Sequence, residues 1–260
     1  MVFRSNSAMH GFWRRGIYLA ALLLASACQS EQTSLPLIHT ATSTLPAATL
    51  APTFTPFPSP SASPIPDIAP QVRLREEFDQ QTSCLAQLDN EEARSWLAED
   101  AYLIEISGTN LIASSNCETL VAGDFILEAD ITVRQAPEQG GYYFGLNFRV
   151  SGLEHYSFVV NSEGGYCAYF GSDQFYIPLT NSTDFNAQCW VQLPASALRE
   201  GSQHMLVKAV AGRFDLYLNG VLLSVVRDLR LRQGWVGFLA ATIGEGPLLV
   251  EFDNLVVARP

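Results

Sequence analysis

Five cysteines, four histidines and the carboxylates Glu128 and Asp130 are residues of this chain whose types and spacing suit chemistry. Glu128 and Asp130 alternate along "EADITV", so an extended backbone points both carboxylates to one side. The cysteines are Cys28, Cys84, Cys117, Cys167 and Cys189. No C-x-x-C spacing occurs among them, which argues against a zinc site. No histidine stands beside any of them to activate a thiol. The histidines are scattered at His10, His39, His155 and His204. The sequence contains no G-x-S-x-G, H-E-x-x-H or Gly-rich phosphate loop. The four cysteines after Cys28 are an even set, which reads as disulfides only outside a reducing compartment. The compartment must therefore be read first.

Arg4, Arg14 and Arg15 make a positive start, Gly16 to Leu24 is apolar and uncharged, and Ala25, Ser26 and Ala27 precede Cys28. Charged, apolar, small is the layout of a secretory leader. The apolar run is short for a spanning helix, which needs about 20 residues. The stretch "LASAC" resembles the lipobox of bacterial lipoproteins. That resemblance implies cleavage before Cys28, a diacylglycerol on its thiol, and a location on the extracytoplasmic face of the cell membrane. The bilayer is then one partner, reached through Cys28, because two or more acyl chains hold where one is marginal.

Residues 1–27 are thus expected to be a lipoprotein signal peptide and residues 28–71 a linker. Nine of the fourteen prolines fall between Pro36 and Pro70, among Ser, Thr and Ala. Such a chain buries too little apolar area to offset its ordering entropy. It is expected to be disordered but extended, at about 3.1 Å per residue where polyproline-like, so that it reaches on the order of 100 Å.

Residues 72–260 are long enough for one core. The chain carries a net charge of −11. The first 71 residues hold three arginines against two acids, which leaves 12 basic and 24 acidic groups in the rest. That balance argues against nucleic acid and against an anionic lipid surface as partners. Three disulfide pairings are open. Nearness in sequence favours Cys84–Cys117 and Cys167–Cys189.

Period-two alternation dominates this region. In "FILEADITVR", Phe125, Leu127, Ala129, Ile131 and Val133 share one face. In "YLIEIS", Tyr102, Ile104 and Ile106 do the same. "RFDLYLNGVLLSVV" reads as a hairpin with a tight turn at Asn219–Gly220. Strands also fit 141–150, 156–160, 166–170 and 205–210, and two close the chain. Weak helical patterns appear at Asn90–Leu97 and Pro194–Leu198. About a dozen strands in this length predict an all-β, antiparallel two-sheet jelly-roll sandwich.

The order "DFILEADITV", "GGYYFGLNFRV", "HYSFVVNSEGGYCAYF", "HMLVKAVAGRFDLYLNGVLLSVVRD", "GWVGFLA", "VEFDNLVV" resembles the concanavalin A-like lectin/glucanase superfamily, and within it the laminin-G-like modules of bacterial surface proteins. The resemblance spans roughly residues 74 to 258. It implies a membrane-anchored module that binds a carbohydrate or a glycan-bearing surface, with protein adhesion as the alternative. Glucanases of the superfamily carry E-x-D-x-x-E on one strand, and retaining hydrolysis needs two carboxyl groups about 5–5.5 Å apart. Here Glu128 and Asp130 are followed by Thr132 and Val133, so the second Glu is absent and the resemblance favours binding over catalysis. No cofactor is implied. Calcium occurs in relatives, and Asp173, Asp184 and Asp228 are acidic loop positions, but no ligand spacing joins them. On alternating strands the expected binding residues are Tyr143, Asn147, Arg149, Tyr169 and Tyr176 on an open, concave face. Arg149 would offer its fork to an acidic sugar.

Overall fold

The computed structural model describes residues 2–4, 71–79, 83–98, 100–180 and 189–260. Cys28, the leader, the linker and Asp184 lie outside them, apart from Val2–Arg4, whose backbone is described as a short strand, β1. The sandwich strands follow as β2 (Val72–Glu76), β3 (Ala93–Ala98), β4 (Ala101–Ile106), β5 (Leu111–Ala122), β6 (Phe125–Gln135), β7 (Gly141–Ser151), β8 (Glu154–Asn161) and β9 (Gly165–Gly171). The remainder are β10 (Tyr176–Pro178), β11 (Val191–Gln192), β12 (Gln203–Val210), β13 (Arg213–Leu218), β14 (Val221–Arg227), β15 (Gly234–Ile243) and β16 (Leu248–Ala258).

Two antiparallel sheets result. Sheet A runs β1-β5-β15-β7-β8-β9-β10, with β11 also on β9. Sheet B runs β14-β13-β12-β6-β16-β4-β3, with β2 also on β16. Hairpin neighbours such as β7-β8-β9 and β12-β13-β14 alternate with pairs distant in sequence, as in β5 beside β15 and β6 beside β16, so the chain crosses between layers as a jelly roll does.

The alternation read from the sequence builds the core. Phe125, Leu127, Ala129 and Ile131 of β6 are sealed, as are Tyr102, Ile104 and Ile106 of β4. Val133, at the end of the β6 run, is only partly buried against the core. From the opposite sheet come Leu146, Phe148, Tyr156, Phe158, Val236 and Phe238, all buried. Phe148, Tyr156 and Phe214 form one aromatic group, with centroids 4.8 to 5.5 Å apart. Each such ring removes some 150–250 Å² from water, so this group is a major source of stability. The β13–β14 hairpin turns at Asn219 and Gly220, with φ of 52° and 80°, the left-handed pair that a two-residue primed turn requires. Asn219 is also pinned by its side chain, whose Nδ2 donates to the Ala197 carbonyl (2.7 Å) and to Gln203 Oε1 (2.8 Å).

The helical patterns are corrected. Asn90 Oδ1 accepts from the backbone N–H of Glu92 (3.0 Å) and of Ala93 (2.9 Å), a local turn rather than a helix start. From there Ala93 and Ser95 point inward and Arg94 outward, so 93–98 is the edge strand β3. The second pattern contracts to a single 3-10 turn at Ala195–Ala197.

The pairings Cys84–Cys117 and Cys167–Cys189 are both present, closing 33- and 22-residue separations. The first staples the segment before β3 to β5. The second ties β9 to the segment before β11.

Candidate functional site

The outward face of sheet A carries most of the expected binding residues, and the strand register arranges them in rows. Asn116, Gly237, Asn147, Ser157 and Tyr169 stand opposite one another on β5, β15, β7, β8 and β9. The next row is Ser114, Leu239, Gly145, Val159 and Cys167. Tyr143 begins a third, between Ala241 and Asn161.

The first row is a polar line. Asn147 Nδ2 donates to Ser114 Oγ (2.7 Å), and the Ser157 hydroxyl donates to Asn147 Oδ1 (2.7 Å). Asn116 Oδ1 lies beside Gly237 and is buried without a hydrogen-bond partner. A Cβ at Gly237 would come within 2.6 Å of that oxygen and 2.2 Å of the Ser115 carbonyl, so only glycine lets β5 and β15 close up here.

Over the second row sits an aromatic layer. Trp190 meets Tyr143 edge-on at 5.8 Å, and Tyr169 meets Tyr176 at 4.6 Å. His155 meets Tyr169 edge-on at 6.0 Å, while its Nδ1 faces the Leu153 carbonyl (3.2 Å). Tyr169, Tyr143 and Trp190 form, with Val159, Leu239, Cys167 and Cys189, a small apolar cluster separate from the main core. Burial shifts the titrating members toward neutrality: His155 is lowered from its ordinary value, Tyr143 is raised well above its own, and Tyr169 is pushed up to about 12. The face is therefore uncharged at neutral pH at these positions.

The five expected binding residues fall into three situations. Tyr176 is 41% exposed, beside Phe175 at 48%. Tyr143 is half-buried in the aromatic layer. Asn147 and Tyr169 are buried, at 3% and 7% exposure. Arg149 is corrected outright, since its exposure is 0%. Its φ of 50° and a register shift after Phe148 break the alternation of β7, and the guanidinium lies 5.0 Å over the core ring of Phe214. Its hydrogen bonds run to the backbone carbonyls of Gly123 (Nε 3.2 Å, Nη2 3.0 Å), Leu231 (2.9 Å) and Ala211 (2.6 Å). It is a tie between three turns and is not presented to a sugar.

Trp190 and His155 belong to the face although alternation within one strand did not single them out. Trp190 is placed by its neighbour Cys189, so the disulfide pairing was the signal that could have found it.

The carboxylate pair lies elsewhere, on the outward face of sheet B. Asp130 Oδ1 is 2.8 Å from His204 Nδ1, Glu128 is 3.6 Å from His204 Nε2, and Asn254 Nδ2 donates to Asp130 (2.9 Å) and Asp253 (3.3 Å). Burial raises Asp253 from its ordinary value, opposed by the hydrogen bond from the Asn254 N–H and helped by the nearby Asp130, Glu251 and Asp100 carboxylates. Of the acidic loop positions, Asp228 accepts from the Tyr156 hydroxyl (2.6 Å) and pairs with Arg230, a structural commitment. Among the described residues no group of three or more His, Cys, Asp or Glu side chains is placed to hold a metal.

No protein-family model and no curated protein matches the sequence. Solved structures do match. The catalytic domain of an endo-1,3-β-glucanase (laminarinase) from Thermotoga petrophila superposes with TM-score 0.52 at 11% identity, over 73% of this chain and 98% of that one. A β-glucanase from Bacillus licheniformis gives 0.51 at 9%, over 73% and 98%. The cellulose induced protein Cip1 gives 0.51 at 13%, over 72% and 97%. At these identities the likeness concerns the fold. The described domain is a jelly-roll β-sandwich, and it shares that fold with these structures.

Proposed function

We propose that this chain is a glycan-binding module, held on the extracytoplasmic face of a membrane by a lipid on Cys28 and lifted from it by the proline-rich stalk. The observation that carries the binding reading is the aromatic layer on sheet A. Tyr176 and Phe175 are open to solvent yet fixed from behind by Tyr169 (4.6 Å) and Phe170 (5.9 Å). Fixed, half-exposed rings suit the C–H face of a sugar, and a tyrosine hydroxyl suits its rim. Named sugar-facing candidates contribute no cation once Arg149 is internal, so the reading favours a neutral glycan over an acidic one. The fold is shared with glucanases, which supports a carbohydrate ligand without naming it.

The experiment is retention of the full-length protein on a panel of immobilised neutral and acidic glycans. Wild type is expected to be held by at least one neutral glycan. Tyr176→Ala is expected to weaken that binding about tenfold, since one stacked ring is worth roughly 1–3 kcal/mol and 1.4 kcal/mol is tenfold. Its melting temperature should hardly move, because exposed positions shift stability by about 0.5 kcal/mol or less. Retention only by a protein partner would favour the adhesion reading instead.

The tether is supported by the "LASAC" leader and the stalk composition. Cys28→Ala is expected to shift the protein from the membrane fraction to the soluble one or to leave it unprocessed. A variant that is cleaved normally and still sediments with membranes would contradict the lipid.

A further inference from the structure

We infer that the Cys167–Cys189 bridge positions the binding face, by holding Trp190 against Tyr143 and Tyr176 against Tyr169. The inference rests on the glycan-binding reading and assigns the bridge a role within it. The two cysteines are buried on the outward face of sheet A, at 0% and 1% exposure, apart from the main core. They are not needed to close the sandwich itself, whose core is built from the opposite faces of both sheets.

Each end of the bridge contacts one aromatic pair. Cys189 directly precedes Trp190, and Trp190 stands edge-on to Tyr143. Cys167 Sγ lies 3.0 Å from the Tyr176 hydroxyl, and a disulfide sulfur has no proton, so the hydroxyl donates. That contact turns Tyr176 back over Tyr169 while leaving it 41% exposed. A second tether reinforces the first. The Thr180 hydroxyl donates to the Cys189 carbonyl (2.9 Å), and Thr180 Oγ1 accepts from the Ala168 N–H of β9 (3.0 Å). The strand β11 adds only two residues of pairing, Val191 with Tyr166 and Gln192 with Gly165. Without the bridge, Trp190 would depend on Thr180 and this short ladder.

The bridge and the other disulfide thus have different work. Cys84–Cys117 fastens a segment to strand β5 and belongs to the main core cluster, apart from the aromatic layer.

The test compares C167A/C189A with C84A/C117A in the full-length protein carrying 5-fluorotryptophan. Fluorine resonances report Trp96, Trp190 and Trp235, joined by Trp13 while the leader is retained, and W190F assigns Trp190. The expected result for C167A/C189A is a displaced or broadened Trp190 resonance and at least tenfold weaker retention on the neutral glycan that holds wild type. C84A/C117A should change neither. Thr180→Val, which keeps the bridge and removes the second tether, should give a smaller change of the same kind, about two- to fivefold, and decides the matter should the double variant not fold. An unmoved Trp190 resonance with unchanged retention in C167A/C189A overturns the inference and leaves glycan binding standing. Wild type retained by no glycan overturns the binding reading, and the Trp190 resonance then decides the positioning of the face by itself.

Discussion

Arg149→Ala will be among the most damaging single substitutions in this protein. The guanidinium is fully buried and satisfies the carbonyls of Gly123, Ala211 and Leu231, which lie on three separate connections. Burial lowers its pKa from the ordinary arginine value, with the nearby Tyr156 and Asp124 opposing that shift. Truncation leaves three carbonyls short of a donor and a void beside Phe214. Breaking a buried charged network costs about 3–5 kcal/mol, and a domain has only about 5–15 to lose. Arg149→Lys should recover only part of this, because one ammonium cannot span three acceptors set for a planar fork. Urea unfolding followed by circular dichroism measures both. A cost below about 1 kcal/mol for Arg149→Ala would return the residue to the surface and with it the acidic-sugar reading.

Alkali should unfold the domain between pH 10 and 12 even with both disulfides intact. Tyr156 is pushed up to about 12, chiefly by burial and then by its bond to Asp228, and Tyr169 is pushed up to about 12 by burial. Burial also raises Tyr102, whose hydroxyl meets Ser95 and Ser115. An unfolded tyrosine gives up its proton near pH 10, whereas Tyr156 and Tyr169 keep theirs until about pH 12. In that window the folded state binds more protons, so stability is complete below pH 10 and is lost as pH rises through 12. Two such groups together withdraw on the order of 5 kcal/mol, comparable with the whole stability of a small domain. Phenolate absorbance at 295 nm should rise in step with loss of the β-sheet signal. Smooth tyrosine ionisation near pH 10, with the sheet signal intact, would contradict the buried placement of these rings.

The sandwich was legible in the sequence because its strands bury one face each. Phe125, Leu127, Ala129 and Ile131 could be sorted from Ile126, Glu128 and Asp130 by period alone, and Asn219–Gly220 announced its own turn. Segment 93–98 was not legible as a strand, because short alternation beside acidic residues looks equally helical, and only the Asn90 turn and pairing with β4 decide it. The site was half legible. Tyr143, Asn147 and Tyr169 do point to one side of sheet A, but what covers them comes from across the chain, through Cys189 and Trp190. Arg149 misled because a single left-handed residue on β7 reverses the side that alternation assigns.

The central claim is that sheet A's outward aromatic face holds a glycan. The most direct measurement is a heteronuclear NMR titration of the full-length protein with the neutral oligosaccharide that retains it. The account predicts shifts concentrated at Tyr143, His155, Phe175, Tyr176 and Trp190, with Arg149 and the Glu128–Asp130–His204 group on sheet B unmoved. Shifts centred on Glu128, Asp130 and His204, or none at all at saturating sugar, would contradict it.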